Sequence, residues 1–224
     1  MCSVSWSRSR GSLIVVMNRD ERRDRAAARP PRRWPGDAGG SGFTAPVDGD
    51  AGGTWIAVRD SGVVVALLNH YSAAVAAPRT SRGRLVTALA AAPGIPDAAR
   101  LRAAGLAAFA PFRLFVAGPW TPPRAFTWNG VSLTARRLDP RRGFLTSSSW
   151  NPRAVVAARQ ASFRRFARDH PQPTRADLLA FHACADDPRG TPWAICMARE
   201  DARTVSTTVV EAGPAGVSMR YQAR

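Results

Sequence analysis

Met1-Cys2-Ser3-Val4-Ser5-Trp6-Ser7-Arg8-Ser9-Arg10-Gly11-Ser12-Leu13-Ile14-Val15-Val16-Met17-Asn18-Arg19-Asp20-Glu21 opens the chain, and its reading decides the fold. Cys2 to Ser7, a turn through Ser9-Arg10-Gly11 and the apolar run Leu13 to Met17 predict a β-hairpin. The hairpin returns residues 19 and 20 to a place opposite Cys2. A residue as small as cysteine after the initiator Met favours aminopeptidase removal of Met1, which leaves one residue carrying both a thiol and a free α-amine. That residue is a nucleophile and a base together. The amine titrates at about 8 in model compounds, so it can exchange a proton with an acyl-transfer centre, while a nearby cation favours the thiolate.

Outward from the hairpin, Arg22 to Gly53 is rich in Pro, Arg, Gly and Asp with little periodicity, and it predicts a long loop or lid. Thr54 to Arg59 and Val63 to Leu68, joined by Asp60-Ser61-Gly62, predict a second hairpin. Ser81 to Ala92 and Asp97 to Ala108 predict two helices separated by Pro93-Gly94-Ile95-Pro96, with Ser81 and Asp97 as N-caps. Strands resume at Phe112 to Ala117 and at Ala125 to Leu138, the latter broken by a hairpin turn at Asn129-Gly130. Gly143 to Ser147 adds a short strand. A third helix follows, capped by Asn151 with Pro152 at its first position, running to about Asp169. Thr174 and Asp177 form a capping-box pattern for a fourth helix ending near Cys184. Trp193 to Arg199, Thr204 to Glu211 and Gly216 to Tyr221 predict the final strands. This order suits one domain over residues 1–224, an α+β architecture of two antiparallel sheets with helices on both outer faces.

A hydrophobic fraction of 45% in 224 residues supports a folded core. No stretch approaches the about 20 apolar residues that span a bilayer, and Met1 to Ser12 contains no apolar signal core, so a cytoplasmic location is expected. The net charge of +16 comes from 32 basic residues, all arginine. They are spread along the chain, and the densest cluster, Arg19 to Arg33, is interleaved with Asp20, Glu21 and Asp24. That distribution reads as solvated surface, not as a nucleic-acid footprint. Cys2, Cys184 and Cys196 suggest neither a disulfide framework nor a zinc knuckle, and Cys184 and Cys196 are expected to be small buried hydrophobes. His170 and His182 lack metal-pair spacing, so no metal is expected. The tryptophans, Trp34, Trp55, Trp120 and Trp150 among them, are expected in the core and in pocket walls.

Met1-Cys2 followed by Asn18-Arg19-Asp20-Glu21, Gly52-Gly53-Thr54-Trp55, Leu68-Asn69 and Ser81-Arg82-Gly83-Arg84-Leu85-Val86 resembles the NRDE family, also called the Transport and Golgi organization protein 2 family. Ala194-Ile195-Cys196-Met197 and Thr204-Val205-Ser206 extend the resemblance along the chain. It implies a four-layer αββα fold like that of cysteine-type N-terminal-nucleophile amidases, among them bile-salt hydrolases and penicillin V acylases. By the same resemblance Cys2 is the nucleophile, Arg19 sits beside its sulfur, and Asp20 accepts a hydrogen bond from the α-amine. Asn69 matches an amidase asparagine that helps form the oxyanion hole, and Phe144 to Ser149 matches a stretch that carries an Asn where this chain has Ser147. A hydroxyl there lacks the geometry of an amide donor.

Asn18, Glu21, His70, Ser147 and Arg159 complete the candidate substrate-binding set. Arg159 shares a helical stripe with Val156, Phe163 and Phe166, where a charged residue either snorkels to solvent or serves the site, with snorkelling expected. The functional expectation is hydrolysis of a non-peptide C–N amide bond in a small acyl-amide, with no cofactor. The alternative, which follows from the family's association with haem trafficking and lipid or acyl-CoA homeostasis, is a carrier of haem or a related hydrophobic anion. There, arginines would pair with propionates, and His70 or Cys2 would approach iron.

Overall fold

The computed structural model describes residues 2–71 and 80–224. The opening hairpin consists of β1 (Cys2–Ser9) and β2 (Ser12–Arg22). Its two turn residues, Arg10 and Gly11, both have positive φ, 48° and 76°, the type I′ geometry that matches the twist of paired strands. A Cβ on Gly11 would also lie 2.5 Å from the outer edge of the Trp120 ring, so another residue there needs both a left-handed backbone and a shift of that exposed ring.

Chain order then gives β3 (Arg29–Trp34), β4 (Phe43–Val47), β5 (Ile56–Arg59), β6 (Val64–Asn69), α1 (Arg82–Ala91), α2 (Ala98–Ala103), β7 (Phe112–Ala117), β8 (Arg124–Trp128), β9 (Leu133–Arg137), β10 (Arg142–Thr146), α3 (Pro152–Asp169), α4 (Arg175–Ala183), β11 (Ala202–Gly213) and β12 (Gly216–Ala223). The strands form two antiparallel sheets, ordered β10-β1-β2-β11-β12 and β3-β4-β5-β6-β7-β8-β9. Helices α1 and α2 cover the larger sheet, while α3 and α4 cover the smaller. The fold is α+β, an αββα sandwich. Among the described residues no helix is long and apolar enough to cross a membrane.

Strand alternation divides the core into layers. Val64, Ala66 and Leu68 of β6 join Val4, Trp6, Val15 and Met17 between the sheets, with Trp6 and Phe115 at 5.0 Å between ring centroids. Val65 and Leu67 point the other way, into Leu85, Val86 and Leu89 of α1. Phe144, Phe163 and Phe181 fill the layer beneath α3 and α4. Each buried Val, Leu, Met or Phe among these stabilises the fold by about 1.5–3 kcal/mol.

The expected long loop from Arg22 to Gly53 contains two strands. The sequence of β3 is Arg-Pro-Pro-Arg-Arg-Trp, which reads as loop because proline cannot donate to a ladder, yet β3 is an edge strand and its register shifts where Pro30 and Pro31 lie. Trp193 to Arg199 is not a strand: a 3-10 turn, Thr191–Trp193, leads into irregular chain with one bridge, Ala198 to Arg203. The second helix stops at Ala103 because Gly105 takes φ 71°, and a 3-10 turn, Leu106–Ala108, completes the expected span. Asn151 sits at φ 40° and makes no side-chain cap, while Pro152 holds the first helical position. The Thr174–Asp177 capping box is present in full.

Arg59 fixes the far end of α1. This helix has no basic residue in its last turn, and the Arg59 guanidinium from β5 donates instead to the carbonyls of Leu89, Gly94 and Ala92. A cation there satisfies end carbonyls and complements the helix dipole. The near end is set by two glycines: a Cβ on Gly53 would stand 2.4 Å from the Gly83 carbonyl carbon, and Thr54 N–H donates to Gly83 O at 3.2 Å.

Candidate active site

Cys2 and Arg19 are direct partners across the β1–β2 ladder, so their side chains share the inter-sheet face. Cys2 is 7% exposed and opens on a cleft of about 340 Å³ whose wall includes Arg19, Glu21, Arg25, Asp48, Trp55, Asn69 and Arg82. Met1, whose removal the sequence reading invokes, lies outside the described residues. The Cys2 backbone N–H donates to Ser147 Oγ at 3.1 Å, and Ser147 N–H donates to Cys2 O at 3.0 Å. Burial pushes the Cys2 thiol pKa up. The N-terminal charge and Arg19 act against that, and Asp20 and Glu21 act with it. The resting form at neutral pH is therefore the thiol, where the neighbouring cation alone suggested thiolate.

Arg19 is 4% exposed and locked on three sides. Nη2 meets Asp48 Oδ2 at 2.5 Å and Glu21 Oε2 at 3.3 Å, and the guanidinium lies 4.4 Å from the Trp55 ring centroid, a cation–π contact. Asp48 holds the network together: it also takes Arg25 Nη2 at 2.7 Å and Ala51 N–H at 2.8 Å. Burial alone would raise the Asp48 pKa. The Arg25 hydrogen bond, the Ala51 N–H and the two arginine charges outweigh it and hold the carboxyl below its ordinary range. Sequence reading passed over Asp48, although an Asp ahead of the Gly-rich turn Gly49 to Gly53 is a turn signal. In sequence, Arg25 and Arg82 carry no signal beyond a charge cluster and a motif.

Alternation splits the Asn18-Arg19-Asp20-Glu21 motif. Arg19 and Glu21 face the cleft; Asn18 and Asp20 face the helices. Asn18 is fully buried and does not reach the cleft, so its expected part in substrate binding gives way to a structural one. Its Nδ2 donates to His182 O at 2.8 Å and Ile195 O at 3.2 Å, and its Oδ1 accepts from Thr207 Oγ1 at 2.9 Å. Asp20 Oδ1 accepts from Thr204 Oγ1 at 2.7 Å, and its Oδ2 lies 3.6 Å from Arg159 Nη1.

Arg159 is 1% exposed. It neither snorkels nor lines the cleft. Besides Asp20 it reaches Thr146 Oγ1 and the carbonyls of Trp193 and Pro192 at 3.3–3.4 Å, an inward path open because α3 packs directly on the smaller sheet.

Asn69 borders the Cys2 cleft and a second one, of about 420 Å³, that contains His70, Ser147, Arg113 and Val156. Its Nδ2 donates to Tyr71 Oη at 2.9 Å. Burial and the charge of Arg113 lower the His70 pKa. His70 and Cys2 line different clefts. Cys184 is exposed and Cys196 half-buried, against the expectation of buried thiols. Trp55 is the pocket wall expected, whereas Trp120 and Trp150 are 76% and 42% exposed.

A family profile described as Transport and Golgi organisation 2 matches residues 1–186. The chain belongs to the Transport and Golgi organisation 2 family. No curated protein matches it in sequence. Among solved structures, it is similar to a Caenorhabditis elegans N-acylethanolamine-hydrolyzing acid amidase ortholog, with 14% identity, 93% of this chain and 92% of that one covered, and a TM-score of 0.57. Penicillin V acylase from Agrobacterium tumefaciens aligns at 9% identity, with 100% and 86% covered and a TM-score of 0.57. A variant of conjugated bile acid hydrolase from Clostridium perfringens aligns at 7%, with 100% and 92% covered and a TM-score of 0.57. At these identities the shared feature is the fold: this family member has the αββα sandwich of these hydrolase structures.

Proposed function

We propose that this chain hydrolyses the C–N bond of a small acyl-amide, with Cys2 as its N-terminal nucleophile after loss of Met1. The observation that carries the reading is the place of Cys2: the first residue of β1, in register with Arg19, opening on a cleft, with its nitrogen directed at the Ser147 hydroxyl.

Once Met1 is gone, that nitrogen is an α-amine held by Ser147. A buried thiol needs a base, and the amine on the same residue is one. The amine takes the thiol proton, and sulfur attacks the amide carbonyl carbon, placing negative charge on oxygen beside the Asn69 amide. Collapse breaks the C–N bond; the ammonium passes its proton to the departing nitrogen, and a thioester remains on Cys2. Water, giving a proton to the same amine, then attacks the thioester, releasing the carboxylic acid and restoring the thiol. Arg19, fixed by Asp48, Glu21 and Trp55, keeps a positive charge beside the sulfur without competing for the proton.

The test combines intact mass, labelling and turnover. The purified chain should lack Met1, a β-lactone probe should acylate Cys2 ahead of Cys184 and Cys196, and a panel of acyl p-nitroanilides should contain substrates whose hydrolysis falls to background in Cys2→Ala. Retained Met1, or equal labelling of all three thiols, overturns the reading.

A further inference from the structure

We propose that the cleft over Cys2 takes a substrate bearing a carboxylate, and that Arg82 recognises that group. The inference rests on the nucleophile reading of Cys2 and adds a substrate class to it.

The cleft wall holds three arginines, Arg19, Arg25 and Arg82, and two acids, Glu21 and Asp48. The acids are taken. Arg19 engages both, at 2.5 Å and 3.3 Å. Arg25 engages Asp48 at 2.7 Å and Glu21 at 3.5 Å, and also Asp50 at 3.5 Å. Arg82 makes no ion pair among the described residues; its one hydrogen bond there runs from Nη1 to the Pro111 carbonyl at 2.9 Å. Residues 72–79, which precede it, contain no acid in their sequence. Among the described residues, one cationic charge in the cleft is therefore left without a counterion.

Its surroundings fit a missing anion. Burial works against the Arg82 charge, while Tyr71, Cys2 and Glu21 favour it and Arg25 opposes it. Glu21, the acid among these, is already bound to Arg19 and Arg25. A partly desolvated guanidinium with five donors and, among the described residues, one neutral acceptor is costly unless a ligand completes it. Its planar fork matches a carboxylate in two-point geometry.

Arg82 is also held in place. It opens α1, whose first turn carries no acid, and the Gly53–Gly83 backbone contact and the Arg59 clamp fix both ends of that helix. The placement puts a fixed positive group on the same cleft wall as the sulfur, and the helix dipole adds to it.

The probe is a pair of alkylating agents that differ in charge, iodoacetate and iodoacetamide. Both lose iodide to the Cys2 sulfur, and peptide mass mapping separates Cys2 from Cys184 and Cys196. Relative to the same ratio for glutathione, Cys2 should favour iodoacetate by about tenfold. Arg82→Lys should keep the preference in part, and Arg82→Gln should return it to the glutathione value. Butyrate, but not butyramide, should protect Cys2 from iodoacetamide in the parent chain. A parent ratio equal to that of glutathione, or a preference that survives Arg82→Gln, overturns the assignment while leaving Cys2 a nucleophile. A Cys2 that reacts with neither reagent overturns both readings.

Discussion

The two faces of β2 carry opposite designs. On the cleft side, Arg19 and Glu21 belong to an ion-pair network with Asp48 and Arg25 that borders an open space. On the helix side, Asn18 and Asp20 are sealed in and fasten β2 to α3, α4, β11 and the chain around Ile195. Four consecutive residues thus make two devices, a scaffold and a site. Deletion of Asn18 on the helix face should cost stability while sparing the chemistry of Cys2, and deletions on the cleft face should do the reverse; Asp20, whose charge raises the Cys2 pKa, couples the two.

The largest loss is expected from Arg159→Met. It removes a guanidinium from a buried carboxylate and should cost about 4 kcal/mol in denaturant unfolding. Adding Asp20→Asn should recover part of that, because the buried charge goes with it. Asn18→Ala strands the carbonyls of His182 and Ile195 and the Thr207 hydroxyl, for about 3 kcal/mol, yet iodoacetamide should alkylate Cys2 at its parent rate in the folded variant. A changed rate would join the two faces into one unit.

Asp48→Asn tests the cleft face. It should cost about 2 kcal/mol at neutral pH and change Cys2 alkylation, since Arg19 loses its closest anchor. The folded-state Asp48 pKa is depressed, so its contribution is present above the unfolded value of about 4 and is lost as pH falls through the folded value. The gap between parent and variant should therefore close in acid. Thermal scans from pH 7 to pH 3 check this.

The shallowest change, spread over several pH units, belongs to His182. It is fully buried behind Asn18, with Nε2 bonded to Ser5 Oγ at 2.8 Å, and burial lowers its pKa to about 3. The unfolded chain takes up that proton near pH 6.5, the folded chain only near 3. Between those values stability should fall with acidification by about 1.4 kcal/mol per unit, and His182→Gln should flatten the slope.

Much of this arrangement was legible from local pattern. The β1–β2 hairpin follows from an apolar run and a Gly-containing turn, which bring Cys2 opposite residues 19 and 20; that Arg19 is the direct partner is set by the two-residue turn. The capping box at Thr174 is equally local. The edge strand β3 was not, because two prolines and three arginines carry no strand signal until a neighbour such as β4 supplies the pairing. Nor was the division of labour within residues 18–21: alternation says that neighbours face opposite ways but not which way holds the cleft. Asp48 stayed hidden for a related reason. Its partners Arg19 and Arg25 stand 29 and 23 residues away in sequence, a proximity created only when the two sheets stack. Arg159 was misread because an arginine on an apolar stripe is ordinarily a surface residue, and its buried partner Asp20 lies on another element.

The sequence family is matched only up to residue 186, yet β11 begins at Ala202 and runs between β2 and β12. A fragment ending at that boundary would leave β2 an open edge along its whole length, its amides and carbonyls offered to any passing strand. It would also strip Asp20 of Thr204 and Asn18 of Thr207. The closing strands of the smaller sheet therefore cover the edge through which the Cys2 hairpin would otherwise seed aggregation.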